Sequence, residues 1–272
     1  MSGASPYAGM TVAVGTMHGK DAAFAPAFAR WLDAGVRPSA DLDTDALGTF
    51  TRDVPRAISP EDAAIAKARA ASSELGTPLG LATEASYAPA FGGFGPVVHE
   101  ELAVFVDVNR GIHVTHGVRT FADVAPARTV TDEGEAGQYL ERIGFPHQAV
   151  VARSEGELRK GIQDAAVVRD LVRRGPVVLE PDLRAHLNPE RRRTLRRLSW
   201  MLAARLRTPC SVCGCPGFGL VDAERGVPCA ACGEPTAQVC ADVHGCAACG
   251  EREVHARAVS VADPATCGWC NP

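Results

Sequence analysis

PCSVCGCPGFGLVDAERGVPCAACGEPTAQVCADVHGCAACG at residues 209–250 and CGWCNP at 267–272 contain all ten cysteines of this 272-residue chain. Eight of them form four C-x-x-C pairs: Cys210 with Cys213, Cys229 with Cys232, Cys246 with Cys249, and Cys267 with Cys270. Fifteen residues separate the first two pairs and seventeen the last two, spacings suited to tetrahedral zinc. A C-x-x-C turn folds two thiolates to one side, and two such turns close a tetrahedron. Gly214, Gly233 and Gly250 follow the second cysteine of three pairs, where the chain needs a residue tolerant of positive φ. The first ten residues carry neither a basic residue nor an apolar run of the kind found in a secretion signal. The expectation is therefore a reducing cytoplasm and two structural zinc ions rather than a disulfide framework. Sequential pairing (first with second, third with fourth) and cross-braced pairing (first with third, second with fourth) both remain open. Cys215, Cys240 and His244 are left over.

Outward from the cysteines, charge divides where they begin. Residues 208–272 hold three arginines against seven acids, a net charge of −4, whereas residues 1–207 are neutral and cysteine-free. The expected organisation is an α/β domain over 1–207 and a Cys-rich zinc-binding domain with two four-cysteine sites over 208–272. With 46% hydrophobic and 22% charged residues the composition is globular, and no apolar run is long enough for a membrane span.

In the first 207 residues short apolar runs alternate with helical patterns. Strands are expected at Thr11–Gly15, Leu79–Ala82, Leu102–Val108, Ile112–Thr115, Gln148–Ala152 and Val177–Glu180. Helices are expected over 20–34, from Ser59-Pro60 to Leu75, over 155–174, and from Asn188-Pro189 onward, with Leu195, Leu198, Leu202 and Leu206 on one face. The alternation predicts an α/β fold with a mixed sheet flanked by helices, followed by a small zinc-ribbon-like domain.

Candidate chemistry sits at element ends. Thr16-Met17-His18-Gly19-Lys20 forms a strand-to-helix turn, where His18 and Lys20 could meet a phosphate at a helix N-terminus. It is not a P-loop, because Asp21 stands where Ser or Thr would hold magnesium. Asp41, Asp43 and Asp45 resemble a D-x-D nucleophile motif, but Val36–Ala40 makes a poor buried strand before them, and the motif is rejected; Asp45 could still ligate a hard cation. Glu84 follows the apolar run at 79–82, and Glu100-Glu101 precede the next strand. Eight arginines fall between 184 and 207; Arg184 and Arg191, near the helix start, are the better candidates for gripping phosphate through a planar fork.

The strings HGK (18–20), DTDALGTF (43–50), NPERR (188–192), PGFG (216–219), PCAACGEPT (228–236) and CGWCNP (267–272) resemble a bacterial family catalogued only as a domain of unknown function. That resemblance spans nearly the whole chain and implies no established activity. More remotely, Thr16, His18 and Lys20, then Thr49-Phe50, Glu61-Asp62-Ala63 with Lys67-Ala68, and Glu84 are similar to motifs of inosine-triphosphatase-like nucleoside-triphosphate pyrophosphatases. In those enzymes carboxylates hold Mg²⁺ and basic residues hold the triphosphate.

Together these observations lead to an expected metal-dependent hydrolase of a phosphorylated small molecule, a nucleotide among the candidates. Lys20, Asp45, Glu84 and Arg184 would form its catalytic set, with His18, Lys20, Arg184 and Arg191 on phosphate and Asp45 and Glu84 on Mg²⁺. The competing expectation is a non-enzymatic zinc-ribbon adaptor for protein or nucleic acid. The acidic, lysine-free tail disfavours nucleic acid as its own partner, so arginines 184–207 would have to supply such contacts.

Overall fold

The structure, a computed structural model, describes residues 5–16, 19–39, 58–91 and 93–272. A five-stranded sheet comprises β1 (Thr11–Val14), β2 (Gly35–Pro38), β3 (Leu79–Phe91), β4 (Phe94–Asp107) and β5 (Ile112–Ala122), in spatial order β2-β1-β3-β4-β5. β2, β1 and β3 run parallel, whereas β4 and β5 are antiparallel additions, so the sheet is mixed. β2 is a strand despite its weak apolar patterning. Among the described residues it is an edge strand paired with β1 alone, the position that tolerates Pro38, which has no N–H to donate.

Helices cover both faces of this sheet. α1 (Asp21–Leu32) and α5 (Pro189–Arg207) cover one face through Phe24, Phe28, Leu195, Leu198 and Leu202, packed on Val12, Val14, Leu81 and Phe105. α2 (Pro60–Glu74) covers the other through Ala64 and Ala68 against Ala82, Val104 and Val106. The helix starts form as their residues dictate: Ser59 and Asn188 accept from the N–H groups of Asp62 (3.1 Å) and Arg191 (2.9 Å), each followed by proline at the first position.

The small residues on α2 let backbones touch. A Cβ at Gly80 would lie 2.0 Å from the carbonyl oxygen of Ala68, and one at Gly15 2.7 Å from that of Lys67. Gly80→Ala is therefore expected to cost about 3 kcal/mol, the upper part of the range for overpacking. Urea unfolding of that variant, with its midpoint compared with the parent's, checks the expectation.

A second, antiparallel sheet has the order β6-β9-β7-β8, from β6 (Arg128–Val130), β7 (Val150–Ser154), β8 (Glu157–Ile162) and β9 (Val177–Pro181). It buries Val150, Ala152, Val177 and Leu179 under α3 (Glu133–Ile143) and α4 (Ala165–Val172). The helix expected over 155–174 is thus a hairpin strand followed by a shorter helix. Gly156, at φ +73°, turns the chain between β7 and β8, and Asp164 caps α4 by accepting from Ala166 N–H at 2.8 Å. α3 has no counterpart among the expected helices, although Asp132 and Gly144 bracket it as N-cap and left-handed C-cap.

The tail is a three-stranded antiparallel meander of β10 (Gly219–Arg225), β11 (Val239–Gly245) and β12 (Arg252–Ala256). Arg205 of α5 ties it to the first sheet, donating to the carbonyls of Gly217 (3.0 Å), Leu220 (2.7 Å) and Thr115 (2.7 Å). No helix among the described residues is long and apolar enough to cross a membrane.

Candidate functional site

Two constellations stand out, one of thiols and one of buried charges. The eight paired cysteines come together as two groups of four: Cys210, Cys213, Cys246 and Cys249, and Cys229, Cys232, Cys267 and Cys270. Pairing is therefore cross-braced, first pair with third and second with fourth. The sulfurs of each group lie within 4.8 Å of one another. The nearest cross-pair separations are 3.6 and 3.8 Å in the first group and 3.7 and 3.8 Å in the second. A tetrahedron with a metal–sulfur distance of about 2.3 Å has sulfur–sulfur edges of about 3.8 Å, so both groups suit a structural metal such as zinc.

Local backbone geometry explains how each knuckle holds its sulfurs. The amides of Gly214, Gly233, Gly250 and Asn271 donate to the carbonyls of Cys210, Cys229, Cys246 and Cys267 at 2.9–3.2 Å. The three glycines have φ between +71° and +76°, as the turn requires. All ten thiols are unbridged. Cys215 packs on the main core, Cys240 faces the Glu224 carbonyl, and His244 packs edge-on to Phe218 and tilted against His255, so each four-cysteine group is complete without them. With four protein ligands per site no coordination position is open to a substrate.

The charges gather just past the carboxyl end of β1, beside the middle of β3. The chain leaves β1 toward β2 through α1 on one face and returns to β3 after α2 on the other. The β1/β3 junction is consequently a topological switch point, the usual place for a ligand crevice in such sheets. Lys20, at the N-terminus of α1, donates to the Thr83 carbonyl across this junction at 3.1 Å. On the α2 face, Lys67 meets Glu84 Oε1 at 2.5 Å, both side chains less than a tenth exposed. On the α1/α5 face, Arg191 grips Glu101 through two parallel bonds, Nε to Oε2 at 2.7 Å and Nη2 to Oε1 at 3.1 Å, and donates Nη1 to the Leu183 carbonyl. His99 Nε2 lies 3.1 Å from Glu101 Oε2, and Tyr87 stacks flat on the His99 ring.

Electrostatics tune two of these groups in opposite senses. Burial lowers the Lys20 ammonium, and the charges of Arg191 and Lys67 add to that against Glu101 and Glu84, leaving its pKa at about 8. Burial alone would raise the Glu101 carboxyl. The Arg191 charge, hydrogen bonds from His99 and Arg191, and Lys20 outweigh it and hold the pKa at about 2. By formal charge Lys20, Lys67 and Arg191 outnumber Glu84 and Glu101 by one. Thr83 Oγ1 and His99 Nδ1 are buried there without a hydrogen-bond partner among the described residues.

Of the residues nominated from sequence, Lys20, Glu84 and Arg191 come within electrostatic reach of one another. Arg184 is held elsewhere, on Asp182 at 2.8 Å beyond the end of β9, where Gly161 N–H also donates to Asp182. His18, Asp43 and Asp45 lie outside the described residues. His99 and Tyr87 are absent from the sequence-based candidates, Lys67 enters them only through a remote likeness, and Glu101 only as one of two acids ahead of a strand. The signal for Glu101 and His99 is alternation, since residues two apart on β4 share a face.

Neither the curated proteins nor the solved structures contain a match to this chain. Residues 67–272, which include Lys67, Glu84, Glu101, Arg191 and both four-cysteine groups, match one family, and the chain belongs to it: the domain of unknown function DUF6671.

Proposed function

We propose that the crevice just past the carboxyl end of β1, beside the middle of β3, binds a phosphorylated small molecule and hydrolyses it, and that the tail is a structural appendage folded by two zinc ions. The observation that carries the first part is Lys20. An ammonium at the switch point, beside a helix N-terminus and pushed down to about 8 by burial and neighbouring cations, gains most from an anionic partner. Arg191 is committed to Glu101 and keeps its charge in place, while Lys20 supplies the ionic contact to the phosphoryl oxygens as charge develops on them.

Magnesium is less well supported. Glu84 already faces Lys67 and Glu101 already faces Arg191, so neither carboxylate is offered to a cation in this arrangement. The zinc reading rests on the sulfur tetrahedra and on thiols left unbridged, which fits a reducing compartment such as the cytoplasm.

The test is a panel of nucleoside triphosphates and phosphomonoesters incubated with purified protein, with and without Mg²⁺, monitoring released phosphate and pyrophosphate. Lys20→Ala is expected to lower turnover by about 100-fold or more, the scale of losing one charge-stabilising donor. Absence of release, or release indifferent to Lys20, overturns the proposal. A pH series adds a second check. The ammonium form predominates below about pH 8, so affinity for inorganic phosphate should hold there and fall as pH climbs through that value. Lys20→Ala should flatten that profile.

A further inference from the structure

We propose that the outward face of α5, with the end of α1 beside it, binds single-stranded nucleic acid. The buried side of α5 is committed to the core through Leu195, Leu198, Leu202 and Leu206. Its other side presents Arg193, Arg196, Arg197, Trp200 and Arg207, spaced i, i+3, i+4, i+7 and i+14, which is one continuous stripe about 21 Å long. Trp200 is 42% exposed, and at the far end Arg207 lies over the ring of Trp31, itself 39% exposed, 5.6 Å from its centre. Arg30 stands next to Trp31 on α1 and is exposed.

Charge argues for the occupant. Residues 1–207 are neutral as a whole, yet Glu190 is the single acid within α5. Among the described residues no carboxylate pairs with Arg193, Arg196 or Arg197, whereas Arg184 and Arg191 on the same segment are each locked to an acid. Arg193, Arg196 and Arg197, with no carboxylate partner among the described residues, beside two exposed indoles are the combination that follows a sugar–phosphate backbone while stacking its bases. A lipid surface fits less well. An interfacial helix inserts an apolar face, and the leucine face of α5 is already buried.

The experiment titrates the full-length, zinc-loaded chain against an end-labelled oligothymidylate, with phosphatidylserine vesicles and a polyglutamate peptide as parallel probes, following anisotropy and tryptophan fluorescence. With four or five phosphates contacted, log affinity should fall against log salt with a slope near about −3. R193E/R196E/R197E should weaken binding by at least about 30-fold and reduce the slope by about 2 or more. Trp200→Ala should cost about 5- to 100-fold and shrink the tryptophan fluorescence quench, leaving the part due to Trp31. Unchanged zinc content and melting temperature in both variants show that the fold persists. Failure to bind the oligonucleotide, binding that ignores the charge reversal, or preference for vesicles or polyglutamate over the oligonucleotide overturns the proposal.

Discussion

Replacing one buried thiolate, as in Cys246→Ser, is expected to release more than one metal equivalent and to unfold the tail. The cross-brace is the reason. The chain from Cys213 to Cys246 passes through Cys229 and Cys232, and the chain from Cys232 to Cys267 passes through Cys246 and Cys249. Each site therefore pins the loop whose ends form the other. The meander runs between them: β10 leaves the first knuckle and enters the second, and β11 leaves the second and enters the third. A structural zinc site contributes about 10–16 kcal/mol, as much as the whole stability of an ordinary domain, and the tail has little apolar core to replace it.

Location then makes the sites unequal. Cys246 is buried with Cys210 and Phe218, next to Cys215, which packs on the main core, while Gly217 lies against Val114 of β5. Losing the first site should expose this seam, whereas losing the second, as in Cys270→Ser, should leave it partly covered. Elemental analysis should give about two zinc ions for the parent and less than one for Cys246→Ser, with a value between for Cys270→Ser. One full equivalent and an unshifted melt in Cys246→Ser would show that the clasps act independently.

The two four-cysteine groups were legible because coordination writes its requirement into local spacing, and two thiols three residues apart announce themselves. Which pair joins which was not legible. Both pairings use the same four C-x-x-C turns, and the choice is made by the register of β11 between β10 and β12, a long-range property. Helix starts at Ser59-Pro60 and Asn188-Pro189 were plain because caps are local, and the same logic, applied to Asp132 and Gly144, would have found α3. The hairpin of β7 and β8 was hidden because Ser154–Ile162 offers no apolar alternation; what makes it a hairpin is pairing with β7 and, through it, β9. β3 and β4 extend far past their apolar runs because their outer ends are partly solvent-exposed. The charge cluster was half legible. Lys20 follows β1 as expected, but Glu84, expected at a strand end, lies within β3, which runs on to Phe91, and their partners come from residues far apart in sequence, such as Glu101 and Arg191.

Glu101→Gln is expected to destabilise the folded chain by about 3–5 kcal/mol, because it strands the Arg191 guanidinium, 1% exposed, without its counter-charge. Removing both charges should cost far less. Glu101→Leu with Arg191→Met keeps the volume apolar and avoids desolvating an ion pair, so it should fall within about 1–2 kcal/mol of the parent or exceed it. The pH profile separates the ion pair from simple packing. Glu101 has its carboxyl held at about 2 in the fold, below the ordinary value of 4.5, so the unfolded chain binds the extra proton first. Its stabilisation is fully present above about pH 4.5 and drains away as pH falls toward about 2. Urea unfolding between those limits should show a steep acid loss in the parent and a shallower one in the double variant, while equal slopes would mean that Glu101 is not held as a carboxylate. The same substitution reaches the proposed site, because Glu101 is one of two acids that support the Lys20 ammonium. With Glu101 neutral and Arg191 still charged, the lysine should titrate below about 8 in Glu101→Gln, and phosphate affinity should be lost at a lower pH than in the parent. A double variant that restores stability but still shifts the Lys20 profile would show that Glu101 and Arg191 set the charge at the crevice independently of their part in holding the fold.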